Sequence, residues 1–454
     1  MSRLSAELRL ILRSRMGVGS LLLLLLLSSL AVWSGIAQME RQRETIARVS
    51  GEQRRDFAGV AATHGKPDGD AGYAAYYSFL LTHDAPPPLA FAAIGQRDIQ
   101  PFVLRVRALG LQQQLYDAEA INAELALPGV FDWAFVLVYL APLIIIALMH
   151  DLVTGEREGG RLRLLLSLPG QGLWRRRIGL RYALVLFALA VPFAVGAIVT
   201  HAPVAGTAAM LLVAALYLAF WAGCALLVGT AMRASASAAA ALIGCWILLT
   251  LVVPTLASAA IARAIPAAKG IDLTLAQREI VHHGWDIAKQ DTFERFFLNH
   301  PEWRGREGFE GRFHWKWLFA MHQVGDEAVA RDVAAYRASL IARERWSERV
   351  GYLLPGVAAQ GALHRIADTD PFGQFAYQDR IAAFHDRLRH FFYPYLFTDR
   401  PFTRADFARM PTFAPRLPSG AVPAAPLLAL AVVAALLLSA GSRRVARISG
   451  ADRA

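Results

Sequence analysis

The residues most suited to chemistry lie in one short run, residues 150–169, which follows a long apolar block. Glu156 and Glu158 stand two residues apart within it, with a basic residue between them, and Pro169 ends it. Carboxylates so placed accept hydrogen bonds from basic or backbone donors of another chain. We predict a segment that lies along a membrane surface and presents a protruding charged surface to a partner. The alternative is an interfacial loop whose arginines only fix the topology.

Histidine is the next candidate for chemistry, because the chain has twelve. Zinc-type chelation from a helix needs side chains three or four residues apart on one face. His282 and His283 are adjacent, so they do not have this spacing. None of the other candidate histidines forms a pair with it either, namely His314, His322, His385 and His390. Methionine, a copper(I) ligand, is scarce and not clustered. We therefore expect no metal site.

Motifs for catalysis or nucleotide binding do not occur. The chain has no Gly-x-Ser-x-Gly elbow, no His-Glu-x-x-His and no Gly-x-x-x-x-Gly-Lys-Ser/Thr loop. Asp368 and Asp370 precede Pro371, a pattern that favours a helix cap over an acid pair. We expect no catalytic and no cofactor-binding residues, so any ATP, with its magnesium, must be bound and hydrolysed by another chain.

The elements that position the charged run are membrane helices. The chain is 55% hydrophobic and only 18% charged, and its apolar residues are clustered. About 20 apolar residues cross the hydrocarbon core as a helix. Six blocks have about this length: residues 17–37, 130–149, 182–199, 204–230, 236–262 and 424–440. Cys224 and Cys245 fall inside two of them and are expected to act as small apolar residues.

The distribution of arginine predicts the topology. Arginines crowd before the first block, between the second and third, and after the sixth, whereas the loop around His201 has no Lys or Arg. Basic short loops stay in the cytoplasm, so we predict a bacterial inner-membrane protein with both termini inside. The net charge of +11 then needs no nucleic-acid partner. A cleaved signal peptide is the alternative for the first block.

This topology divides the chain, with two long extracytoplasmic segments. A polar stretch from Glu40 to Arg55 should continue the first helix outward, with a break at residues 64–70. Apolar spacing predicts helices over 273–298 and 313–352. The fold class is an all-α polytopic membrane protein with six transmembrane helices and a mainly helical extracytoplasmic domain. The predicted divisions are 1–37 (terminus and first span), 38–129 (first outer segment), 130–262 (spans two to five), 263–423 (large outer domain) and 424–454 (sixth span and tail).

The charged run resembles a known motif. Type-2 permeases of ATP-binding-cassette (ABC) transporters carry Ser/Thr-Gly-Glu-x-Glu-x-Gly-x-Leu-x-Leu-Leu-Leu-Ser-x-Pro in a first cytoplasmic loop that forms a coupling helix against the ATPase subunit. Arg161 replaces the usual Thr. The matching positions are Thr154, Gly155, Glu156, Glu158, Gly160, Leu162, Leu164, Leu165, Leu166, Ser167 and Pro169. The resemblance implies an ATPase-coupling set of Asp151, Thr154, Gly155, Glu156, Arg157, Glu158, Gly160, Arg161, Leu162, Leu165 and Pro169.

Three further stretches, residues 88–101, 129–143 and 354–370, look like bacterial ABC permeases with a large extracytoplasmic domain of unknown function, often described as multicopper-enzyme maturation permeases. The resemblance implies an exporter subunit driven by a separate ABC ATPase, and a second permease copy or paralogue in a homo- or heterodimer. The alternative is a membrane-anchored ABC scaffold or signalling subunit that remodels an extracytoplasmic partner without moving a solute. An anchored enzyme is a third class, but it would not need six spans.

Overall fold

The computed structural model describes residues 3–116, 131–167, 172–267, 270–415, 417–418 and 420–451. Within these residues, six helices are long and apolar enough to cross a membrane, which confirms the six predicted blocks, and we call them the membrane bundle. The third begins nine residues before its predicted block. The spans are Arg15–His64, Trp133–Glu158, Leu173–Val199, Val204–Ala231, Ser235–Ala264 and Ala424–Ala446. The protein is therefore a mainly helical, multi-pass membrane protein.

The remaining elements are short helices around the bundle and a helical domain. Two strands, Leu80–His83 and Val103–Val106, pair antiparallel with Leu80 opposite Val106, a sheet that the sequence did not predict. The helices are Arg3–Arg13, Ala71–Tyr77, Leu111–Tyr116, Thr154–Glu158, Leu162–Ser167, Gly270–His283, Lys289–Asn299, Trp315–Gly351, Pro355–Ala367, Pro371–Phe397 and Arg404–Phe407, with 3-10 turns at Gly95–Asp98 and Pro301–Trp303.

The first span extends far beyond the bundle. Its helix runs from Arg15 to His64, which confirms the predicted continuation and the break near residue 64. Ser14 caps its start by accepting from Gly17 N, and it ends where Gly65 N donates to Ala61 O (3.0 Å). At about 1.5 Å per residue this helix is about 75 Å long. It connects the bundle to the second helical part of the molecule, where its end at Gly65 lies beside Arg404.

Both long segments contribute to one helical domain, which we call the capping domain (residues 38–88, 95–116, 270–354 and 371–415). A buried ion pair joins two helices of the second segment, because Arg389 Nη2 lies 2.6 Å from Asp326 Oδ2. The same carboxylate accepts from Leu111 N (2.9 Å).

The helix predicted over 273–298 is wrong as a single element. It is interrupted at Gly284, where a side chain would overlap Met321, since a Cβ built there lies 2.4 Å from Met321 Sδ.

Two spans widen into π-helical turns ahead of a proline. Val136–Leu140 precedes Pro142, and Ile247–Val252 precedes Pro254. Proline lacks an N–H and its ring crowds the carbonyl four residues earlier, so the helix widens there. For Pro142 that carbonyl is Val138 O, which accepts from the buried Tyr217 hydroxyl (2.9 Å).

Residues 89–94 form a buried loop inserted into the bundle. Ala134 N donates to Ala92 O (2.8 Å), and Thr369 Oγ1 donates to Ala93 O (2.7 Å). Asp132 caps the second span by accepting from Phe135 N and also accepts from Ile94 N, both at 2.8 Å.

The helix Pro355–Ala367 also belongs to the bundle. The sequence prediction placed it in the extracytoplasmic domain, but Ala359 and Leu363 are fully buried in the same core as the membrane spans. Its small residues allow this close packing against the fourth span, where Gly356 lies beside the Tyr217 hydroxyl. The capping domain is thus anchored to the bundle by this helix, by the buried loop and by the first span.

Candidate functional site

The predicted coupling run forms two short helices joined by a glycine turn, which we call the docking element (residues 150–167). The first helix is Thr154–Glu158 and the second is Leu162–Ser167. Gly160 N donates to Arg157 O and Arg161 N to Glu156 O, the two bonds of a Schellman helix end. Gly160 has φ +67°, a conformation that favours glycine. This left-handed helix end explains why the sequence motif has a glycine at position 160.

Glu156 binds the element to the third span. Its side chain is 16% exposed and accepts from Arg177 Nη1 and Arg161 Nε, both at 2.8 Å. Arg177 also contacts Glu7 in the N-terminal helix (3.1 Å). These four charges form a chain from the N-terminal helix through the third span to the docking element.

Arg157 and Glu158 bind the element to the connection between the fourth and fifth spans. Arg157 Nη1 donates to Met232 O. Glu158 accepts from Ser235 N (2.9 Å) and Ser235 Oγ (2.6 Å), at the first turn of the fifth span. A carboxylate at this helix end also interacts favourably with the helix dipole. A displacement of the element would therefore act on the third, fourth and fifth spans at once.

The rest of the predicted set divides by exposure. Asp151, Gly160 and Arg161 are exposed, Gly155 and Leu165 are half-buried, and Thr154 and Leu162 are buried. Leu164 is 64% exposed, and so is the Arg161 side chain. Among the described side chains of the element, the exposed groups include one large apolar side chain, Leu164, and charges of both signs. Pro169 lies outside the described residues.

Sequence reasoning missed two residues of this arrangement, Glu7 and Ser235, and gave Arg177 only a topological role. Ser235 carried a usable signal, because a serine before an apolar run often begins a helix. Glu7 carried none, since its partner is far along the chain. The arrangement offers no nucleophile with a base, and its carboxylates are held by internal donors. Its geometry suits mechanical connection.

Two of the candidate histidines, His322 and His385, stabilise the capping domain. His322 Nδ1 accepts from Gly110 N (3.2 Å), and the His385 ring lies 2.6 Å from Leu109 O. Burial and the charges of Arg389 and Arg107 lower the pKa of His322 to about 3, so it stays neutral. Within the described part of the chain, no three His, Cys, Asp or Glu side chains are grouped to hold a metal ion.

Asp370 accepts from Gly373 N (3.0 Å) and caps the helix Pro371–Phe397, as its sequence position predicted. Asp368 ends the preceding helix at φ +59°. These acids are thus structural, each at one end of a helix.

Comparison with known families gives one match. Residues 271–416 match the family model "Domain of unknown function (DUF3526)". No curated protein and no solved structure matches the chain. The matched residues cover most of the second part of the capping domain and the helix Pro355–Ala367, so the chain carries a DUF3526 domain inserted between the fifth and sixth spans of a multi-pass membrane protein.

Proposed function

We propose that the chain is the permease subunit of an ABC transporter, an exporter driven by a separate ATPase that binds the docking element. The observation that carries the proposal is the double role of this element. Internal bonds from Glu156 and Glu158 connect it to the third and fifth spans, while Arg161 and Leu164 remain exposed. The motif resemblance supplies the identity of the partner. ATP and magnesium would be bound by that partner.

The proposed mechanism is transmission of a displacement. Closure of an ATPase dimer would push the exposed face of the element. Because charge-assisted hydrogen bonds are short and directional, Arg177 and Ser235 would carry the movement into their spans as a rigid-body shift. The proposal places this end of the bundle, with both chain termini, in the cytoplasm of a bacterial inner membrane, and pairs the permease with a second copy or a paralogue.

A second candidate function rests on the first span. Its single helix of 50 residues passes from the bundle into the capping domain, and would transmit the same displacement to a partner outside the membrane. The chain would then be an ABC scaffold or signalling subunit that remodels this partner without moving a solute. The two candidates share the docking element and differ in whether a solute crosses the membrane.

Paired variants test the docking element. Changing Arg161 and Leu164 together to Glu should abolish ATPase binding and lower the thermal stability of the chain only slightly, because Leu164 is exposed and Arg161, although paired with Glu156, has a 64% exposed side chain. Arg175→Glu, exposed on the same end but outside the element, is the matched control. Changing Glu156 and Glu158 to Ala should uncouple ATP hydrolysis from transport or release the ATPase. Normal co-purification and normal coupling in both double variants would overturn the proposal.

Liposomes separate the two candidate functions. With the ATPase included, ATP-dependent loss of solute supports an exporter. ATP hydrolysis that responds to an added outer partner, without solute flux, supports the remodelling subunit.

A further inference from the structure

A cavity of about 770 Å³ lies where the membrane bundle meets the capping domain, at the end opposite the docking element. Its volume is within the range of small-molecule sites, about 300–1,000 Å³. The second and fifth spans form an apolar wall that includes Phe135, Leu140, Trp246 and Leu251. Leu251 is also 41% exposed.

The opposite wall is polar and acidic. Three elements form it: the 3-10 turn Gly95–Asp98, the helix Trp315–Gly351 and the helix Pro355–Ala367. Its side chains include Asp98, Glu344, Gln360 and His364. Asp132 and Asp370 also line the cavity, whereas none of the described lysine or arginine residues does. A cavity with one apolar and one acidic wall fits an amphiphile with a positive charge.

Two of the four carboxylates are already occupied. Asp132 accepts from Ile94 N and Phe135 N, and Asp370 pairs with Arg365. Such internal partners leave these two carboxylates with little capacity to bind a ligand.

The other two, Asp98 and Glu344, form no ion pair within the part of the chain that the structure describes. Burial raises the pKa of both. For Glu344 the charges of Asp370 and Glu348 raise the pKa further, and the charge of Arg365 partly opposes them. A cation close to these two groups would favour their ionised forms and would be bound in return.

Backbone geometry points to the same cavity independently of charge. Both π-helical turns border it, since Tyr139 and Leu140 belong to one and Leu251 to the other. Such turns occur frequently at functional sites. Trp246 lies directly before the second π turn, and its buried Nε1 donor has no partner among the described residues.

We propose that this cavity binds a lipophilic cation, with its apolar body against the second and fifth spans and its charge beside Asp98 and Glu344. The inference deepens the proposed function, because it names the substrate class, and it rests on that function only for the step of transport. Binding itself needs no ATPase.

The test is equilibrium binding of tetraphenylphosphonium to the purified full-length chain in a non-ionic detergent. Tetraphenylborate, of the same shape but negative, is the matched ligand. We expect saturable binding of the cation and at least about tenfold weaker binding of the anion. Glu344→Gln and Asp98→Asn should each weaken cation binding by about fivefold to tenfold. Glu310→Gln, an exposed acid away from the cavity, should leave binding unchanged.

A second pair of variants guards against loss of folding. Gly361 lines the cavity, and a Cβ built there meets no atom within 4 Å, so a side chain can be added. Gly361→Lys should weaken cation binding more than about tenfold, and Gly361→Met, similar in length but neutral, should weaken it less. Absence of saturable cation binding overturns the inference, and so does equal affinity in wild type, Glu344→Gln and Gly361→Lys. Either result would leave ATPase docking intact, whereas loss of docking with retained binding would overturn only the proposed function.

Discussion

Gly35 is the position where the contact between the first span and the buried loop is closest. A Cβ built on Gly35 lies 1.9 Å from Phe91 O and 2.7 Å from its carbonyl carbon. Both are backbone atoms, so no flexible side chain can move aside. Gly35→Ala would force the helix and the loop apart by about 1 Å or more to restore van der Waals separation.

The expected cost follows from two opposing effects. Alanine in a helix interior gains about 1 kcal/mol over glycine, whereas overpacking a close contact costs about 1–3 kcal/mol. Because the overlap here is with backbone, we expect the upper part of that range and a net loss of about 1–2 kcal/mol. Gly51→Ala is the control, since it lies on the same helix with no atom within 4 Å of the added Cβ. It should be neutral or stabilising.

The assay is thermal unfolding in detergent, followed with a thiol-reactive dye that reports exposure of Cys224 and Cys245, which are free and lie in the spans. Gly35→Ala should melt below wild type, and Gly51→Ala at or above it. Equal melting of the two variants would refute the packing of the loop against the first span.

Four further outcomes are expected. Tyr217→Phe should lower the unfolding free energy by about 1–3 kcal/mol, because the buried Val138 carbonyl loses its donor, and the same dye assay measures this. For His300, burial alone would lower the pKa, but hydrogen bonds and charges from Glu327 and Glu302 outweigh it and raise the pKa above 6.5. Its stabilising effect is therefore complete below pH 6.5 and is lost as the pH rises through the raised pKa. The unfolding free energy of wild type should fall more than that of His300→Gln over this rise, and parallel pH curves would contradict it. Alkaline-phosphatase fusions should be active after residues 70 and 340 and silent after residues 172 and 450, and activity after residue 172 would refute the proposed orientation. The purified chain alone should show no micromolar affinity for ATP in a binding titration, since it lacks a phosphate-binding loop.

The membrane helices were predictable because each is a local property of composition. For an apolar run such as Leu21–Leu27, the interior of a membrane is the favourable environment. The cap at Asp370 was predictable for the same reason, because it accepts from a residue only three positions away. The glycine turn of the docking element was not predicted, although Gly160 is the residue type that favours a left-handed helix end.

The contacts of the docking element were not predictable, because they join residues far apart in the chain. Glu156 meets Arg177 across a connection, and Arg177 meets Glu7 at 170 positions' separation. The place of the helix Pro355–Ala367 in the bundle was missed for a different reason. Its apolar side looks the same whether it packs in a soluble core or against membrane spans.

The central claim is that an ATPase binds the docking element, and site-specific photo-crosslinking tests it most directly. A benzoylphenylalanine placed at Leu164 in the living cell should capture a protein with a Gly-x-x-x-x-Gly-Lys-Ser/Thr loop, identified by mass spectrometry. The same probe at Leu353, which is 83% exposed in the capping domain, should not capture it. Capture of such an ATPase from Leu164 alone is the predicted result, and its absence from the Leu164 products, with efficient crosslinking to lipid or other proteins, would contradict the account.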